Sequence, residues 1–117
     1  MTKLNIKAII NLTDEKLVEE TTGSFESGII SYKESNNTYV YLDINRHELV
    51  RENDDMTMKY MFNEEEVTIG KIFVKELNHE IELDLRTVKI EKEGHKYRVE
   101  YIVGNDTFTY EVEYSEV

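Results

Sequence analysis

The sequence predicts an all-β fold, a single antiparallel up-and-down β-barrel of about eight to ten strands. Apolar residues recur with a period of two along nearly the whole chain, the pattern of strands with one buried face. Clusters of Asn, Asp and Gly interrupt the alternation at intervals of about 8–12 residues, the spacing typical of sandwiches and barrels. The intervals are too short for parallel crossovers, which need roughly a dozen or more connecting residues, so consecutive strands must pair antiparallel. No linker, repeat or low-complexity tract divides the 117 residues, and one domain spanning 1–117 is expected.

The elements follow in chain order. Leu4, Ile6, Ala8 and Ile10 share one face, with Lys3, Asn5 and Lys7 on the other. Asp14 to Glu20 has the composition of one or two helical turns capped by Thr13. The Thr21-Thr22-Gly23-Ser24 that follows is poor helix material and favours a long strand from about Leu17 to Glu26. In Thr38 to Ile44, Tyr39 and Tyr41 oppose Val40, Leu42 and Ile44. In Met56 to Phe62, Met56, Met58, Tyr60 and Phe62 share a face opposite Met61, and Val67 to Val74 is similarly mixed. Such strands are expected to be covered twice, by the barrel interior and by a helix, a loop or a partner. Ile81, Leu83 and Leu85 alternate with Glu82, Asp84 and Arg86, and the apolar parity then switches at Thr87-Val88, as a β-bulge would produce. Tyr97 to Val103 and Phe108 to Tyr114 alternate cleanly. Turns are expected at Asn36-Asn37, Asn45-Arg46, Asn53-Asp54-Asp55, Asn63-Glu64, Leu77-Asn78, Glu93-Gly94 and Gly104-Asn105-Asp106.

Composition excludes several function classes. The chain has no Cys, which removes disulfides, thiolate metal sites and thiol catalysis. The 14 Lys and Arg against 25 Asp and Glu leave a net charge of −11, with no basic stripe, so nucleic acid is not an expected partner. The acidic excess keeps the protein soluble. The longest apolar run, Ala8-Ile9-Ile10, is far below the roughly 20 residues of a membrane helix, and no membrane association is expected. Met1 to Lys7 contains neither an apolar signal core nor a small-residue cleavage site, so the expected location is cytoplasmic.

Motifs for chemistry are weak. His47, His79 and His95 stand at no metal-ligand spacing and read as surface or strand-end residues. The runs Glu52-Asn53-Asp54-Asp55 and Glu64-Glu65-Glu66 lack the alternate ligands and central Gly of a calcium loop, and read as solvated turns. No serine lies in a nucleophile elbow, and the five Gly are isolated, so no phosphate loop exists. No catalytic residue, metal or cofactor is assigned.

Strands along most of the chain, from about Thr22 to Glu113, resemble those of the YwiB-like family of small bacterial proteins of unknown function. Gly23-Ser24-Phe25 is similar to its Gly-x-aromatic strand, and Tyr32-Lys33-Glu34 to its Tyr-x-Glu. Leu49-Val50-Arg51 with Met58 and Phe62 is similar to its apolar-x-Arg strand leading into an apolar strand that ends in Phe. Ile81-Glu82-Leu83 through Val88-Lys89-Ile90, then Tyr97 to Tyr101, resembles its closing meander. The chain departs at Asn53, where the family usually has Gly, and at Phe73-Val74-Lys75, where it has Tyr-x-Thr. Asn can take the left-handed conformation of the Gly it replaces. The resemblance implies a calycin (lipocalin)-like barrel and no activity.

An up-and-down barrel brings inward residues of several strands to one mouth. Arg51, on an otherwise apolar strand, then needs a carboxylate or an anionic ligand, and Glu34 is the expected partner. One arrangement uses Arg51 to hold a ligand carboxylate, with Tyr32, Tyr60, Phe62, Phe73 and Tyr101 as an aromatic lining. The other is an internal Arg51–Glu34 pair that closes the barrel end while the aromatics fill the core. The expected function is a non-enzymatic binding domain for a small amphipathic or apolar ligand. The alternative is a filled barrel that acts through its surface, as a protein-interaction module or a homodimer.

Overall fold

The computed structural model describes residues 2–12 and 14–117. Ten strands account for most of them: β1 (Thr2–Asn11), β2 (Lys16–Glu26), β3 (Ile29–Lys33), β4 (Tyr39–Asp43), β5 (Glu48–Glu52), β6 (Met56–Met61), β7 (Thr68–Val74), β8 (His79–Glu93), β9 (Lys96–Val103) and β10 (Asp106–Glu116). Each pairs antiparallel with its sequence neighbours, and β10 returns to β1 from Leu4↔Glu116 to Asn11↔Thr109, closing the barrel. Lys16 to Glu20 belongs to β2, so the helical reading of that stretch gives way to the long strand. Its proposed cap, Thr13, lies outside the described residues. No helix among the described residues is long and apolar enough to cross a membrane.

The turns follow from local chemistry. Ser27 and Gly28 connect β2 to β3 with φ of 52° and 82°, the two positive values that a type I′ hairpin requires. Gly94 and Gly104 open the two-residue turns after β8 and β9 with positive φ. Asn53 works differently from the expectation that it would replace a left-handed Gly, since it is not among the residues with positive φ. Its Oδ1 instead accepts from the N–H groups of Asp55 (2.9 Å) and Met56 (3.0 Å), and its Nδ2 donates to Thr38 Oγ1 (3.2 Å). The side chain thus supplies the turn that the backbone does not.

The parity switch in β8 is a register shift against β9 between Thr87 and Lys89. Leu85 and Thr87 point inward before it, and Ile90 after it, while Val88 is left outside and exposed. The shift keeps an apolar face turned inward along a strand of 15 residues.

Inward residues of the middle levels, among them Ile30, Val40, Leu42, Tyr97, Val99 and Val112, are fully buried. The lower end holds the turns after β2, β4, β6 and β8, together with the N-terminal and C-terminal strand ends. Loop-to-loop backbone bonds tie it shut: Ile44 N–H to Gly28 O (3.0 Å), Phe62 N–H to His47 O (2.8 Å) and Tyr114 N–H to His95 O (3.0 Å). Rings complete the closure, with Tyr114 between Phe25 and His95, and His47 against Tyr97. The mixed strands are not covered twice within this chain. Tyr39, Tyr41, Met61 and Ile69 face outward and are exposed, with no helix or loop over them among the described residues.

Gly23 explains why β2 carries a glycine among larger residues. A Cβ there would stand 2.2 Å from the carbonyl oxygen of Ser31 and 2.5 Å from Ile6 Cδ1. The first neighbour is backbone and cannot swing aside. Gly23→Ala is therefore expected to force β2 and β3 apart and to cost about 2–3 kcal/mol, read as a lowered midpoint in denaturant unfolding.

Candidate functional site at the upper barrel end

The upper end is bounded by the turns after β1, β3, β5, β7 and β9. Its centre is an ion pair between β3–β4 and β5. Glu34 follows β3, is 6% exposed, and accepts a hydrogen bond from Arg51 Nη2, while Arg51 is 23% exposed. Burial on its own would lower the pKa of Arg51. The hydrogen bond and charge of Glu34 outweigh it and leave the guanidinium raised, so Arg51 keeps its charge. The contact uses one nitrogen of the guanidinium fork. Arg51 Nε is buried and has no hydrogen-bond partner among the described residues.

Tyrosines stand around this pair. Tyr32 and Tyr110 share a hydrogen bond between their hydroxyls at 2.6 Å. Tyr60 and Tyr101 meet edge to face at 5.9 Å, and Tyr101 also packs on Phe62 (5.0 Å) and Phe108 (5.4 Å). Burial raises the phenols of Tyr32, Tyr60, Tyr101 and Tyr110, and the positive charge of Arg51 lowers each of them in return, which marks their proximity to it. Gly70 makes room for this cluster: a Cβ there would meet the Tyr60 ring at 2.8 Å.

The inward positions nearest the upper rim are apolar. The register turns Ile10, Leu17, Met56, Ile72, Ile81, Val103 and Phe108 toward the barrel axis. Leu17 is nevertheless 52% and Ile81 41% exposed, and the other five are half-buried. The lower end has no comparable exposed apolar rim among its described inward residues. The upper end thus combines an apolar rim with a charged, hydrogen-bonding floor.

The structure brings together Tyr32, Glu34, Arg51, Tyr60, Phe62 and Tyr101 of the expected group. Phe73 is the exception. The pairs Met56↔Val74 and Met58↔Ile72 give β7's inward positions to even-numbered residues, so Phe73 lies outside, between Thr57 and Glu80. Tyr110, Phe108 and Met58 belong to the site and were not assigned to it from sequence. Their alternation was visible, but nothing in it showed which level of the barrel they occupy. His47 donates to or accepts from Tyr97 at 3.0 Å, His95 stacks on Tyr114, and His79 is exposed. Among the described residues no group of three or more His, Asp or Glu converges as metal ligands.

A solved structure shares this architecture. The crystal structure of the ywiB protein from Bacillus subtilis matches with a TM-score of 0.71, over 98% of this chain and 90% of that one. The likeness is one of fold. The two sequences are 18% identical. No protein-family model and no curated protein sequence matches the chain.

Two outcomes are expected at this site. Arg51→Ala leaves Glu34 buried and unpaired and should cost about 3 kcal/mol, whereas Arg51→Met with Glu34→Gln should recover most of it, compared by urea unfolding. The interior phenols of Tyr32, Tyr97, Tyr101 and Tyr110 have folded pKa values raised above the ordinary tyrosine value of about 10. The folded state then keeps protons that the unfolded chain loses, so stability is full below pH ~10 and falls as pH rises through the folded values. Phenolate absorbance from these residues should appear together with loss of the β-sheet circular dichroism signal. Full ionisation of every tyrosine with the sheet intact would contradict it.

Proposed function

We propose that this protein is a non-enzymatic binding domain whose upper barrel end takes a small amphipathic ligand. The apolar part rests on the rim of Leu17, Ile81, Val103 and Phe108, and an anionic group reaches Arg51. One observation carries the reading: inward-facing apolar residues stay exposed above a buried guanidinium nitrogen that has no partner among the described residues. Exposed apolar surface collects ligands, and a buried unpaired donor gains a charge-assisted bond when an anion reaches it. The middle and lower interior is filled by side chains, which limits the ligand to the end of the barrel. Kinship with calycin-like barrels and a cytoplasmic location are part of this reading, supported by the ten-strand up-and-down closure and the acidic, charged outer faces.

The test uses 1-anilinonaphthalene-8-sulfonate, an anionic amphipathic fluorophore, and an uncharged naphthalene analogue. The folded protein is expected to bind the sulfonate with enhanced fluorescence and to prefer it to the analogue. Leu17→Glu, at an exposed rim position, should weaken the sulfonate by roughly tenfold, the scale of lost apolar contact plus like-charge repulsion. Arg51→Met with Glu34→Gln should abolish the preference for the charged probe. Binding untouched by both variants, or no binding, overturns the proposal.

A further inference from the structure

The closed barrel leaves an open sheet edge on β8. Strand β8 is shared between two neighbours at different heights. Its first half pairs with β7, from Val74↔His79 to Thr68↔Leu85, and its second half with β9, starting at Leu85↔Val103. Residues 79–84 are therefore bonded on the β7 side alone, because β9 ends at Val103 and turns away through Gly104. Two other one-sided stretches carry side-chain contacts from a neighbouring loop. The lower half of β8 meets the β6–β7 loop, where Glu64 Oε2 accepts from Ile90 N–H (3.0 Å) and Asn63 N–H donates to Thr87 Oγ1 (3.0 Å). The upper half of β2 meets Ser35, whose N–H and Oγ both donate to Glu19 Oε1. No such cover is found over residues 79–84 among the described residues. A depression of about 630 Å³ runs beside them instead, lined in part by Glu82, Leu83, Asp84, Ile102 and Gly104.

The segment has no Lys, no Pro and no bulge of its own, and the charges that keep ordinary strands off it are all acidic. It alternates Ile81 and Leu83 on the inner side with Glu80, Glu82 and Asp84 on the outer side, and all of these but Leu83 are exposed. A strand laid beside it must then carry apolar residues on one face and cationic residues on the other, since cross-strand neighbours of opposite charge stabilise and like charges destabilise. Arg86, just below, and Lys71, opposite Glu82 on β7, offset two of the three carboxylates and leave the segment with one net negative charge.

We propose that the free edge of β8 at residues 79–84 docks an extended segment of a partner protein in which Lys or Arg alternates with apolar residues, adding a strand to the sheet. Main-chain bonds supply the affinity and the alternation supplies the selectivity. A second copy of this chain does not fit, because antiparallel pairing of the segment with itself brings Glu80, Glu82 and Asp84 against one another. This surface shares Ile81 with the apolar rim and does not include the Arg51 floor.

The test is nuclear magnetic resonance of the isotope-labelled protein with a short synthetic peptide alternating lysine and isoleucine. Amide shifts and slowed hydrogen exchange are expected at residues 79–84. Two further peptides carry N-methyl groups on one or the other alternate set of backbone amides. Strand addition requires that one set weaken binding by roughly tenfold or more while the other spares it, because only alternate amides face the edge. A glutamate-isoleucine peptide should not bind, and Glu82→Lys with Asp84→Lys should weaken the lysine peptide by a similar factor. Equal binding of both methylated peptides, shifts centred elsewhere, or no binding overturns the proposal. So does a dimer of the unmodified protein whose protected amides are residues 79–84, which would make a second copy the occupant. None of these readouts depends on Leu17 or Arg51, so failure here and failure of ligand binding at the floor are separate results.

Discussion

A ring of ten strands encloses an interior of set width, and filling it is the constraint on which the other features depend. Aliphatic side chains fill part of it, among them Ile30, Val40, Leu42 and Val99, all fully buried. Tyrosines fill much of the rest. A tyrosine brings bulk, but its hydroxyl must then find a partner inside. Tyr97 finds His47 near the lower end, and Tyr32 finds Tyr110 near the upper. Polar character in the interior is thus a result of the size of the rings needed to fill it. It also gives Arg51 and Glu34 surroundings in which two charges are tolerable.

The ion pair and the glycines show how closely the levels are coupled. Glu34 leaves β3 two residues after Tyr32, and Tyr32 packs where Gly23 permits β2 and β3 to approach. Gly70 yields its inward position to the ring of Tyr60, which packs on Tyr101. One atom of side chain added at either glycine would travel through a tyrosine toward the charged pair. Dense interiors transmit such changes because side chains interdigitate with few voids.

Much of this was legible in the sequence. Period two revealed inward and outward faces for β1, β9 and β10, and the odd-to-even switch after Leu85 located the bulge in β8. The partnership of Arg51 and Glu34 followed from the cost of an unpaired charge on an apolar strand. Other parts were not legible for physical reasons. Phe73 sits in a strand apolar on both sides, so alternation could not decide its face; the register with β6 does, through Met58↔Ile72. Tyr110 looked like any inward residue of its strand, since the level a residue occupies depends on the stagger of all ten strands together. The Ser27-Gly28 turn carried no Asn or Asp to announce it. The outer tyrosines Tyr39 and Tyr41 suggested a cover that this chain does not provide.

The pairing of β1 with β10 has a consequence for how the chain reaches this state. The other strand pairs are sequence neighbours joined by short turns and can form early, whereas Ile6↔Tyr114 joins the two ends of the chain. That contact requires loop closure over almost the whole sequence, so it comes late and is slow. Until it forms, the sheet is an open meander with two bare edges, the geometry in which chains add to one another rather than to themselves. The net charge of −11 is distributed along that meander and makes any two such chains repel. The acidity of this protein thereby protects the barrel during the interval before it is one.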